Sequence, residues 1–175
     1  MLRTPFASER IQMIDPKTGI KVIQLSSYPS PGGHFPYYWP SITPDNGRVL
    51  LYSQRWTGRG APWDLYRVDA DGLNLFQLSE HGDREEPGGG YYGRPHGLLT
   101  LDGETLYALW GSDLHRIDVE TGDQELLVQL GEFCSDDAPL GTPYMSVDRN
   151  RLFMSTYGVE QRTVRVDLDT GECVE

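Results

Sequence analysis

The feature that most constrains this chain is a repeat. DLYRVDADG (64–72), DLHRIDVETG (113–122) and TVRVDLDTG (163–171) each place an aspartate after an apolar residue. These markers, Asp69, Asp118 and Asp167, stand 49 residues apart, and a weaker copy, QMIDPKTG, occupies 12–19. Recurrence at this period marks one supersecondary unit written several times, each copy burying a face against its neighbour.

The unit is made of strands. LHRIDV is short and carries β-branched residues, ETGD is a turn with Gly122 free to take positive φ, and QELLVQL returns. A second hairpin precedes each marker: 36–54 around PDNG, 95–111 around LDGE and 142–158 around VDRN. No useful window has a helical period. Four antiparallel strands per repeat of this length describe a β-propeller blade.

The expectation is therefore an all-β chain, a single incomplete propeller domain of about three and a half four-stranded blades. Residues 10–25 form a half blade, and 26–78, 79–130 and 131–175 form blades, the last with its final strand cut to ECVE. A closed ring takes roughly 4–8 blades. Further blades or a partner chain are thus expected to complete it, because an open array leaves strand edges exposed. Arg67, Arg116 and Arg165 each lie two positions before a marker aspartate, on the same strand face. This pattern predicts a repeated local ion pair rather than a binding stripe.

Composition excludes several function classes. The net charge of −11 argues against a nucleic-acid partner, which requires a basic face. There is no apolar leader and no long apolar run, so no membrane partner is expected. Two cysteines, Cys134 and Cys173, make neither a metal motif nor a disulfide framework, and a reducing cytoplasmic location is expected.

The runs TGIKVIQLS (18–26), GGHFPYYWPSITPDNGRVLLYSQR (32–55) and DLYRVDADGLNLFQLSE (64–80) resemble the N-terminal half of the oligogalacturonate lyases. GLLTLDGETLYALWGSDLHRIDVETGDQELLVQL (97–130) continues the resemblance more weakly. These are seven-bladed propellers related in architecture to TolB-type and WD40-like propellers. The resemblance implies cytoplasmic, metal-dependent β-elimination of pectin fragments. That chemistry needs a base for the proton α to a uronate carboxylate and a cation to neutralise the charge. A manganese-like divalent metal is implied for the complete family enzyme, on histidines of later blades. The family's His-Pro-His before Ser-x-Thr-Pro is matched here by Tyr37-Tyr38-Trp39 before PSITP, without histidine. No catalytic residue, metal ligand or cofactor is therefore assigned in this chain. Whether it is itself an enzyme stays open, with a non-catalytic TolB/WD40-like module for protein or ligand binding as the alternative.

Candidate substrate contacts fall on the loops opposite the acidic hairpin turns. In QRWTGRGAPW (54–63), Arg55 and Arg59 could fork a uronate carboxylate while Trp56 and Trp63 stack on sugar. The alternative is tryptophans packed on a neighbouring blade. Arg94 and His96, entering an inner strand, and His34, opening one, are the other candidates, each with a structural alternative. The expected ligand is an oligogalacturonide or another anionic sugar. The acidic loop SEHGDREEPGGGYY (79–92) fits no metal-ligand spacing and reads as solvated.

Overall fold

Short alternating segments become strands here because turn chemistry recurs on both sides of them. The computed structural model describes residues 5–35, 39–55, 63–79, 96–135, 138–158 and 161–175. A two-stranded hairpin, β1 (Ile11–Ile14) and β2 (Lys21–Gln24), comes first. Three antiparallel four-stranded sheets follow, each with strands in sequence order. Blade 1 contains β3 (Gly32–Gly33), β4 (Arg48–Ser53), β5 (Asp64–Asp69) and β6 (Phe76–Gln77). Blade 2 contains β7 (His96–Leu99), β8 (Thr105–Trp110), β9 (Asp113–Asp118) and β10 (Gln124–Gln129). Blade 3 contains β11 (Tyr144–Met145), β12 (Arg151–Ser155), β13 (Thr163–Asp167) and β14 (Cys173–Val174). One 3-10 turn, Gly131–Phe133, is the sole helical element among the described residues.

The marker aspartates build the outer turns. Asp118 Oδ1 accepts from the Thr121 amide at 2.7 Å and its hydroxyl at 3.1 Å, and Asp167 Oδ1 accepts from the same two groups of Thr170, each at 3.1 Å. In the weak copy, the Lys17 amide and Thr18 hydroxyl donate to the Asp15 carboxylate. The Gly19, Gly122 and Gly171 amides then donate to the carbonyls of Asp15, Asp118 and Asp167 at 2.8, 2.8 and 2.9 Å, with φ of 71°, 72° and 71°. Only glycine takes that conformation without steric cost.

A second motif closes the inner hairpins. Thr43, Thr100 and Ser146 hydroxyls donate to Asp45, Asp102 and Asp148 at 2.6, 2.6 and 2.5 Å. Each hydroxyl oxygen in turn accepts from the backbone amide five residues on, at 3.0 Å in all three cases. The two turns of each blade are tied together: the amides of Ala70, Val119 and Leu168 donate to the carbonyls of Gly47, Glu104 and Asn150. The 49-residue period is thus visible as a repeated backbone bond.

Successive blades share cores because both faces of each sheet are apolar. Leu50, Leu65 and Phe76 of blade 1 pack with Leu106, Ala108 and Ile117 of blade 2. Tyr107, Leu109 and Leu114 of blade 2 pack with Leu152, Met154, Val164 and Val166 of blade 3. Tyr66, Val68 and Leu75 form the opposite face of blade 1, against Leu25, which follows β2.

Two expectations change. The first blade's inner strand does not run through 39–42. Its pairing is divided between Gly32–Gly33, opposite Tyr52 and Ser53, and a single bridge from Ile42 to Val49. The Trp39 side chain is buried in the core shared by blades 1 and 2. The arginine–aspartate pairing holds only in the first repeat, where Arg67 Nη1 lies 3.8 Å from Asp69. Arg116 instead meets Glu125 at 2.5 Å, and Asp167 meets Arg151 at 3.9 Å. Cross-strand neighbours on the same face outcompete the i, i+2 partner.

Candidate ligand face

The hairpins divide each blade into a turn end and a loop end. At the turn end, a cleft of about 380 Å³ between blades 1 and 2 is lined by Asp45, Asp102, Glu104 and Asp118. Its one cation among the described residues, Arg48, is paired with Glu120, whose carbonyl also accepts from Arg67 Nη2 at 3.0 Å. Hydroxyl and backbone donors hold the Asp45 and Asp102 carboxyls below the usual carboxylate range, so both stay charged at neutral pH. This end repels an anionic sugar.

The loop end holds the sequence candidates. Arg55 follows β4 and is buried. Its Nη1 and Nη2 donate to Glu9 Oε1 and Oε2 at 2.5 and 2.6 Å. The guanidinium carbon sits 5.0, 4.8 and 5.1 Å from the ring centroids of Phe6, Tyr28 and Tyr66. Both terminal nitrogens are therefore engaged by a carboxylate of the chain itself, and the free fork expected for a uronate is replaced by a structural clamp. Burial pushes the Glu9 carboxyl up, but bonds from Arg55 and Ser26, the Arg55 charge and the Tyr28 amide together leave it below its ordinary value. Burial, reinforced by Asp64, pushes the Tyr66 phenol up.

His96 opens β7, opposite Leu109. Its Nδ1 meets the Thr142 hydroxyl, which joins blade 2 to the segment leading into blade 3, and its buried Nε2 has no hydrogen-bond partner. Burial pushes the imidazole down to about 4, so it is neutral at pH 7. His34 follows β3 and is exposed, its Nδ1 2.5 Å from the Phe35 carbonyl. Trp63 packs edge-on against Tyr52 at 5.2 Å between centroids, joining the core shared by blades 1 and 2. Arg59, Arg94 and Trp56 lie outside the described residues, as does most of the acidic loop at 79–92.

Glu9 and Thr142 were not legible as site neighbours. Their partners are 46 residues away in each case; Glu9 lies outside the repeat, and Thr142 stands at the very start of the 142–158 hairpin. Neither Cys134 nor Cys173 is in a disulfide; burial, with Glu132 and Glu172 adding, pushes the Cys173 thiol up.

Among the described residues, no group of three or more His, Cys, Asp or Glu could hold a metal ion. The described side chains thus do not fit the manganese-like metal that the resemblance implies. Among the same residues, no helix is long and apolar enough to cross a membrane.

No family model matches the chain, and no curated protein matches it. Solved structures do. An oligogalacturonate lyase in complex with manganese is similar over 98% of this chain and 47% of its own, with a TM-score of 0.71 and 21% identity. The oligogalacturonate lyase of Vibrio parahaemolyticus is similar over 99% of this chain and 48% of its own, at 0.70 and 15%. TolB from Acinetobacter baumannii is similar over 94% of this chain and 36% of its own, at 0.51 and 15%. The chain therefore spans about half the length of the lyases it matches, and its fold is that of the blades of these propellers.

Proposed function

We propose that this chain supplies blades of an oligogalacturonate-lyase-like propeller. Its loop end contacts an oligogalacturonide or a similar anionic sugar, while the reaction centre stands on polypeptide outside these 175 residues. One observation carries this reading. The chain superposes over 98% and 99% of its length on two oligogalacturonate lyases at TM-scores of 0.71 and 0.70, against 0.51 and 0.52 for two TolB structures. On this proposal the protein works on pectin fragments in the cytoplasm, and the manganese of the complete enzyme is held elsewhere.

The chemistry supports that division of labour. β-Elimination removes a proton next to a uronate carboxylate and must stabilise the resulting charge, which calls for a base and converging cations. His96 is partly buried and neutral, with one ring nitrogen engaged by Thr142. Arg55 is held by Glu9. The contacts proposed for the sugar are His34, His96, Arg59 and Arg94, with Arg55 positioning the start of the 54–63 loop rather than touching substrate.

The test is a tryptophan-fluorescence titration with trigalacturonate. Wild type is expected to saturate, and Arg59→Ala/Arg94→Ala to bind at least about tenfold more weakly through loss of charge-assisted bonds. Equal affinity in the double variant, or no binding by wild type, contradicts the proposed contacts.

A further inference from the structure

We propose that Arg55, Ser26 and the Tyr28 amide form a carboxylate-binding site, filled in this chain from inside by Glu9. A small α-hydroxycarboxylate takes the same place once the Glu9 side chain is withdrawn. The proposal stands on the geometry around Arg55 and does not depend on the sugar reading.

Several donors converge on one carboxylate, and none comes from its own segment. Arg55 Nη1 and Nη2 donate to Glu9 Oε1 and Oε2 at 2.5 and 2.6 Å. Ser26 Oγ and the Tyr28 amide donate to Oε2 at 2.7 and 3.3 Å. The guanidinium fork sets two N–H groups at carboxylate spacing, and the hydroxyl and amide add directional bonds. Ser26 and Tyr28 follow β2, and Arg55 follows β4. The Tyr28 and Tyr66 rings wall the guanidinium, their centroids 4.8 and 5.1 Å from its carbon. The donors thus belong to blade 1 and the neighbouring hairpin, whereas Glu9 arrives on another stretch of chain.

That stretch, 5–10, lies on the surface as a strap. It contains no strand and is exposed throughout except at Glu9, whose side chain is 16% exposed. Its other ties are single bonds to the turn after β5. The Phe6 amide donates to the Leu75 carbonyl at 2.7 Å, Ser8 Oγ to the Gly72 carbonyl at 3.0 Å and Arg10 Nη1 to the Asp71 carbonyl at 3.1 Å. A tethered group outcompetes a free one through its effective concentration, without high intrinsic affinity. Glu9 is therefore a built-in occupant, and truncating its side chain opens the site without removing any donor.

The ligand class follows from what Glu9 leaves unsatisfied. Arg55 Nε and Tyr66 Oη are buried and have no hydrogen-bond partner, on residues 8% and 0% exposed. Burial and Asp64 push the Tyr66 phenol up, Arg55 opposes them and Glu9 adds, so this hydroxyl lies in the field of the same ion pair. A buried donor without an acceptor costs stability. The two oxygens of Glu9 are both taken by Arg55, Ser26 and Tyr28. An oxygen on the carbon beside a carboxylate supplies a further acceptor next to the fork. Glycolate is the smallest molecule with that chemistry, and acetate lacks only the added oxygen.

The probe is sodium glycolate, added to the whole chain carrying Glu9→Ala, with the thermal midpoint compared against sodium chloride of equal ionic strength. At about 100 mM, glycolate is expected to raise the midpoint by about 3 °C or more along a saturating curve, and acetate to raise it by less. Wild type and Glu9→Gln, whose side chains fill the site, are expected to show no such curve. Adding Arg55→Lys to Glu9→Ala removes the fork and should abolish the gain. If Glu9→Ala is unfolded in chloride, recovery of its near-ultraviolet dichroism in glycolate is the readout. Neither gain nor recovery with glycolate, or an equal gain in wild type or in the Arg55→Lys double variant, overturns the site. Acetate as effective as glycolate overturns the ligand class.

Discussion

Both terminal nitrogens of Arg55 donate to the two carboxylate oxygens of Glu9, at 2.5 and 2.6 Å, beneath three aromatic rings. The contact joins the N-terminal segment to the end of β4 across 46 residues. Glu9 also accepts from Ser26 Oγ at 2.7 Å and the Tyr28 amide at 3.3 Å, so one carboxylate gathers three stretches of chain.

Removing Arg55 leaves the partly buried Glu9 carboxylate uncompensated. Arg55→Ala is expected to lower the unfolding free energy by about 3 kcal/mol, measured by urea denaturation at pH 7. A loss within the range of an exposed surface pair, below about 1 kcal/mol, would contradict the clamp.

The same pair has a pH signature. Glu9 is held below its ordinary value in the fold, so its contribution is present above the unfolded value near 4.5 and is lost as pH falls through the lower folded value. Glu9→Gln is expected to be less stable than wild type at pH 7, with the difference shrinking below pH 4.5. A difference that stays constant from pH 7 to pH 3 would contradict this.

His96 titrates in a different window. Its folded value is pushed down to about 4 from 6.5, so the unfolded chain takes up its proton first. Stability from this residue is complete above pH 6.5 and is lost as pH falls toward 4. An NMR titration of the ring should give a midpoint near 4, and His96→Gln should flatten the fall in stability across that window. A midpoint near 6.5 would place the ring in solvent.

Gly97 is enclosed by the core between blades 1 and 2. A Cβ there would lie 2.7 Å from Phe35 Cζ and 3.2 Å from Leu106 Cδ1, and both side chains are fully buried. Gly97→Ala is expected to cost about 1–3 kcal/mol through overpacking, read as a lower urea midpoint. Unaltered stability would mean that the two blades are packed more loosely.

Arg149 takes φ of 62° in the inner turn of blade 3, where blade 2 has Gly103 at 81° and blade 1 has Asn46 at 58°. Arg149→Gly is expected to raise stability by up to about 1 kcal/mol as left-handed strain is relieved. A loss on thermal melting would show that the Arg149 side chain contributes more than the turn strain.

The blades were legible because their turns are written in side chains. Asp118, Thr121 and Gly122 announce a turn wherever they recur, and alternation on either side follows from it. The inner strand of blade 1 was not legible, because its pairing passes through Gly32 and Gly33, which carry no pattern, and resumes at a single bridge from Ile42. The site was legible only as residue types. Arg55 has the chemistry to bind a carboxylate and does so, but the carboxylate is Glu9, in a segment outside the repeat. His96 opens an inner strand, as the run after it predicts, while its partner Thr142 depends on how blade 3 closes on blade 2.

The central claim is that these blades recognise an anionic sugar without carrying the reaction centre. Isothermal titration of trigalacturonate into the purified chain, with manganese present, tests both halves at once. The expected result is a saturable binding heat with the baseline restored after each injection. No binding heat would contradict recognition of the sugar, and sustained heat from continuing turnover would place a competent centre within these 175 residues.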